Sequence, residues 1–107
     1  MATLSVVYPR TDGASFDYDY YQSKHLPLAG RCWADAGLTG GEALLGRSAA
    51  DGSRPPFFAI GIIHFESADA LQAALTGAHA EEVIGDIRNF TDVEPVIQIN
   101  ERITLKI

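Results

Sequence analysis

His25 is the residue of this chain best suited to moving a proton. It stands in the stretch Phe16-Asp17-Tyr18-Asp19-Tyr20-Tyr21-Gln22-Ser23-Lys24-His25-Leu26-Pro27-Leu28, which crowds three phenols, an imidazole and a proline together. An unperturbed imidazole titrates at about pKa 6.5, so it can take or give a proton at neutral pH without a cofactor. Tyr20 and Tyr8 could orient a carbonyl or stabilise an enolate by hydrogen bonding. Tyr21, four residues before His25, shares its helical face and is a candidate to line the same pocket. The plainer reading has the phenols packing in the core with their hydroxyls at its edge. His25 would then only satisfy backbone carbonyls freed near Pro27.

His64 is the second candidate. It lies near the end of an apolar strand, where it would share a face with Ile60 and Ile62 and converge on an apolar cleft. Its plainer reading is a partly wet histidine at the sheet rim. His79 sits in a polar helical segment and reads as solvated surface. The three histidines show no i, i+4 spacing, and the single cysteine, Cys32, has no partner at metal-ligand spacing. No protein-only metal site and no cofactor are expected. Neither a dinucleotide fingerprint nor a phosphate loop is present, since Gly40-Gly41 is not followed by Lys-Ser/Thr.

The elements that must position these groups can be read from caps and periodicity. Residues 3–8 form a β-rich run ending at Pro9. Asp17 is a good helix N-cap, with Phe16 and Tyr21 at the spacing of a hydrophobic staple. Pro27 lacks an N–H and disfavours helical geometry at Leu26, which predicts a stop or kink just after His25, a break at Leu26-Pro27, and helix resuming over 28–36. Gly37 supplies its stop. A second strand is expected over 39–48 and the clearest one over 57–65, apolar on both faces: Phe57, Ile63 and Phe65 on one, Phe58, Ile60 and Ile62 on the other. Ser67 caps a helix, a further helical pattern covers 81–90, and a last strand covers 96–105.

The order β-α-β-β-α-β describes an α+β, ferredoxin-like single domain over 1–107 whose helices cover one face of an antiparallel sheet. Leaving Phe58, Ile60 and Ile62 in water would forgo roughly 5 kcal/mol of burial, so a second copy packed on that face is expected.

The first motif, Tyr8-Pro9 followed by Phe16-Asp17-x-Asp19-Tyr20-Tyr21-x-x-Lys24-His25-x-Pro27-Leu28, resembles the signature of EthD-like proteins. Asp86-Ile87-x-Asn89-Phe90-Thr91-Asp92-x-x-Pro95-x-x-Gln98 is similar to that family's C-terminal pattern. The resemblance implies a ferredoxin-like fold paired into a dimeric α+β barrel. It also implies a role for His25, since the related methylmuconolactone methylisomerases use a histidine at the end of the first helix as acid/base. The Tyr20-Tyr21 and Lys24 surroundings differ from that branch, so its substrate does not carry over.

Composition narrows the partners. A net charge of −6 over 107 residues argues against nucleic acid. No apolar run reaches membrane-spanning length, and the lone cysteine fits a cytoplasmic protein. The expected function is cofactor-free acid/base chemistry, of isomerase, cyclase or lyase type, on a small apolar aromatic, lactone or polyketide-like molecule. His25, His64 and Tyr20 would be catalytic, and Tyr8, Tyr21, Phe58, Ile60, Ile62 and Gln98 would bind. A non-catalytic protein for a hydrophobic metabolite is the alternative, and a haem-handling or oxidative role is the third.

Overall fold

The computed structural model describes residues 2–107. Four strands, β1 (Ala2–Pro9), β2 (Leu38–Leu45), β3 (Phe57–Phe65) and β4 (Val96–Glu101), form one antiparallel sheet in the order β2-β3-β1-β4. Between β1 and β2 run the helical segments α1 (Tyr18–Tyr20) and α2 (Leu26–Trp33), joined by a π-helical turn over Tyr21–His25. Between β3 and β4 lie α3 (Ala68–Thr76), α4 (Ala80–Gly85) and a 3₁₀ turn over Asp86–Asn89. The fold is the expected α+β, ferredoxin-like one. Its core lies between helices and sheet, where Leu4, Tyr8, Tyr21, Phe65 and Leu71 are the most deeply buried large side chains.

Local chemistry accounts for most boundaries. Asp17 caps the first helix by accepting from Tyr20 N–H at 3.1 Å, and the Phe16 and Tyr21 rings meet at 5.2 Å, as a staple should. Ser67 caps α3 through Ala70 N–H. Gly37 ends the α2 region with φ of +87°, a conformation that other residues adopt only with strain.

Three expectations need correction. The helix does not break at Leu26-Pro27: His25 and Leu26 both have α-helical dihedrals. Pro27 has no N–H for the carbonyl four residues back, and its ring crowds that carbonyl. The chain relieves this with one wider turn, in which Leu26 N–H bonds the Tyr21 carbonyl five residues back. The second correction is at Phe58. β1 and β3 pair Tyr8 with Ala59 and then Pro9 with Phe57, so Phe58 is the extra residue of a β-bulge. A bulge reverses the facing of residues beyond it. Phe58 therefore stacks on Phe16 at 5.5 Å on the helix side, while Phe57 is the exposed one. Third, β4 ends at Glu101, and Ile103 and Leu105 extend beyond it almost fully exposed.

Candidate active site

The π turn sets His25 and Tyr21 one above the other, their rings 5.8 Å apart and nearly parallel, both turned into the core. His25 is only 5% exposed. The facing wall comes from the 3₁₀ turn after α4. A 3₁₀ turn brings residues i and i+3 into line, so Asp86 and Asn89 project together while Ile87 and Phe90 go inward. Phe90 lies 4.6 Å from the imidazole, centre to centre.

His25 Nδ1 and Asp86 Oδ2 are 3.0 Å apart. Asp86 Oδ1 also accepts from Tyr20 Oη at 2.7 Å and from Asn89 Nδ2 at 2.9 Å. Burial works to raise the Asp86 pKa, but hydrogen bonds from Asn89, Tyr20 and His25 outweigh it and hold the carboxyl below its usual range. An ionised carboxylate can only accept, so Nδ1 carries the imidazole proton and Nε2 keeps its lone pair. Burial lowers the His25 pKa, partly opposed by Asp86, leaving the ring neutral and basic near pH 7.

Two more polar side chains line the same small cavity as His25. Tyr8 and Tyr21 are each 1% exposed, their rings meet edge-on at 5.7 Å, and neither hydroxyl has a hydrogen-bond partner among the described residues. Burial pushes the Tyr21 pKa up to about 12, and burial with the neighbouring Tyr21 raises that of Tyr8 further. Both stay protonated and can donate. With His25 they line a chamber of about 30 Å³ between helix and sheet. Glycine at 61 makes room for it, since a Cβ there would stand 3.2 Å from Tyr21 Oη. The chamber shares Leu26, Ala29, Trp33, Gly61 and Ile63 with a larger apolar cavity of about 210 Å³ that opens between α2 and β2.

Comparison with known proteins agrees with this architecture. Residues 10–94 match the EthD domain. An EthD-like protein of Ralstonia eutropha is 33% identical, with a TM-score of 0.87, over 98% of this chain and 94% of that one. The chain belongs to the EthD family. A second EthD-family structure, from Bacillus halodurans, is 18% identical with a TM-score of 0.77, covering 96% of this chain and 99% of that one. An Arabidopsis thaliana protein shares the fold at 9% identity and a TM-score of 0.71, each chain covered in full. No protein of curated function matches the sequence.

In this EthD domain the residues singled out from sequence fall into separate groups. His25, Tyr8 and Tyr21 meet at the inner chamber. Tyr20 instead turns its hydroxyl to Asp86, and its pKa is raised chiefly by that hydrogen bond. His64 belongs to the other face of the sheet, where Nδ1 meets Thr3 Oγ1 and Nε2 meets Glu42 Oε1, both at 2.9 Å. It does not join His25. Ile60 alternates to the outer face with His64, as does Ile62, which also borders the larger cavity. Gln98 is exposed there and donates to Asn100 Oδ1, while Phe58 is core. Sequence reasoning offered His25 only backbone carbonyls freed near Pro27 and missed Asp86. The available signal was the carboxylate that opens the C-terminal motif. A surface cluster was missed too: Cys32, His79 and Glu82 place ligand atoms within 4.8 Å of one another and could hold a metal ion, although His79 and Glu82 are exposed.

Proposed function

We propose that this EthD domain binds a small, mostly apolar carbonyl compound and moves a proton on it. His25 Nε2 takes a proton from carbon next to the carbonyl. The C–H bond breaks, an N–H bond forms, and the electron pair passes to the carbonyl oxygen as an enolate. Tyr8 and Tyr21 donate hydrogen bonds to that oxygen. In a substrate whose C=C bond is conjugated with the enolate, return of the proton from Nε2 to the far carbon of that bond shifts the double bond. The electron pair leaves the oxygen to re-form the carbonyl, which completes an isomerisation. No oxidant is consumed. Asp86 holds the imidazole tautomer, and Tyr20 and Asn89 hold Asp86.

The observation that carries this reading is a neutral imidazole beside two unpaired phenols at the end of an apolar cavity. The proton-transfer step can be tested before the natural substrate is known. 2-Tetralone, an aromatic ketone, is incubated with the protein in heavy water and deuterium entry beside its carbonyl is followed by NMR. The protein should accelerate exchange, and His25→Gln should remove on the order of 10²–10⁴-fold of that rate with little change in Tm. Exchange that persists undiminished in His25→Gln overturns the assignment.

The reading includes a homodimer joined through the outer sheet face. One row of that face is apolar across all four strands, Val96-Val7-Ile60-Leu44, and Val96 and Leu44 are 57% and 53% exposed. Such a row is better covered than left in water.

A further inference from the structure

Gly30 has no structural reason to be glycine. It lies inside α2 with ordinary helical dihedrals, where glycine costs helix stability relative to alanine. A Cβ built on it meets nothing within 4 Å. Gly13, Gly37, Gly40 and Gly52 have positive φ, and a Cβ on Gly41, Gly46, Gly61 or Gly77 would press on a neighbour at 3.2 Å or less. Only Gly85 resembles Gly30, and it ends α4 away from the cavities, whereas Gly30 lines the larger one. The opposite side of that cavity is also bare of side chains, at Gly40 and Gly41 of β2.

We infer that Gly30 is a specificity-determining residue: with Gly40 and Gly41 it keeps open a slot that admits the flat, uncharged aromatic ring of the substrate. This rests on the proton-transfer reading for the direction in which the substrate points. The slot adjoins the inner chamber, so a ring seated against Gly30 places its carbonyl toward Tyr8, Tyr21 and His25. Trp33 walls both spaces and keeps its Nε1–H buried without a partner among the described residues, a further unmet donor at the junction. Flatness follows from Gly30 on α2 and Gly40-Gly41 on β2, where the lining is backbone without a side chain. Neutrality follows from the lining, whose one ionisable side chain, Glu42, would repel an anion and is already engaged by His64. The stability lost at Gly30 is the counterpart of room for a ligand.

The test uses 2-naphthol, whose fluorescence reports binding and whose planar ring and hydroxyl resemble the enol of 2-tetralone. The wild-type protein should bind it saturably. Gly30→Leu should weaken binding about tenfold or more by filling the slot. Gly30→Ala should weaken it less while raising Tm by a few degrees. Both variants should keep the wild-type oligomeric state. The inference falls if the wild type shows no saturable binding, or if Gly30→Leu binds as tightly as the wild type. It also falls if Gly30→Ala melts lower or changes the oligomeric state, since glycine would then be required by the fold or an interface. His25→Gln separates the two readings: naphthol binding retained with ketone exchange unaffected removes the catalytic role and leaves the slot intact.

Discussion

Asp86 Oδ2 lies 3.0 Å from His25 Nδ1 across 61 positions of sequence. The contact joins the turn that precedes α2 to the turn that follows α4, and it decides which imidazole nitrogen can act. An amide at position 86 could present either an oxygen or an NH₂ to Nδ1, so the tautomer would no longer be fixed. In Asp86→Asn, heteronuclear NMR of the His25 ring nitrogens should show Nε2–H appearing, where the wild type carries only Nδ1–H. Ketone exchange should fall on the order of 10²–10⁴-fold, as it does on loss of the base itself. A variant with unchanged tautomer and rate would reduce Asp86 to a surface hydrogen-bond partner.

The pH dependence follows from two shifts of the same sign. His25 has a folded pKa below its ordinary 6.5, chiefly because of burial. Between those two values the unfolded chain binds more protons, so stability is full above about pH 6.5 and is lost as pH falls through the folded value. Asp86, also lowered, adds a second loss at more acid pH. An NMR titration should place the His25 midpoint below 6.5, with ketone exchange declining along the same curve. Because burial pushes the Tyr21 pKa up to about 12, no matching alkaline decline from that phenol is expected below pH 10 or so. A His25 midpoint at or above 6.5 would remove this account.

The succession of elements along the chain, the Asp17 and Ser67 caps and the Phe57–Phe65 strand were legible because each depends on residues near in sequence. The site was legible only in part. His25 and Tyr21 share a helix face, so their meeting could be read directly; Tyr8 and Asp86 arrive through tertiary packing, which no local pattern encodes. Strand alternation had already put His64 on the face of Ile60 and Ile62, and the structure places it there, away from His25. Phe58 was misread because a bulge shifts parity without any glycine to announce it.

That bulge separates two aromatic neighbours by role. Phe58 stacks on Phe16 and carries Arg10 above its ring, so Phe58→Ala should cost about 3–5 kcal/mol of folding stability. The oligomeric state should not change. Ile60, two residues on, lies in the apolar outer row beside Val7 and Leu44. Ile60→Asp should convert the proposed dimer to monomer in sedimentation while the chemical denaturation of the monomer stays cooperative. Dissociation caused by Phe58→Ala instead would place the interface elsewhere.

Pro27 provides the last prediction, because it is the residue that imposes the π turn. Without its ring, the carbonyl of Ser23 could accept an ordinary helical bond, and Leu26 N–H could return from Tyr21 to Gln22. The segment before the turn cannot rotate freely to follow. Asp17 N–H is bonded to the Phe90 carbonyl at 2.7 Å, and Tyr18 Oη to the Phe58 carbonyl. A regular helix would thus have to turn His25 relative to Asp86, since one residue of helix corresponds to about 100° of rotation. In Pro27→Ala the Nδ1–H signal of His25 should shift upfield as its bond to Asp86 lengthens, and ketone exchange should drop with it. Helix content should hold or rise, because the new residue favours a helix interior. An unshifted Nδ1–H resonance would mean that the packing of Tyr21, rather than the proline, holds the turn.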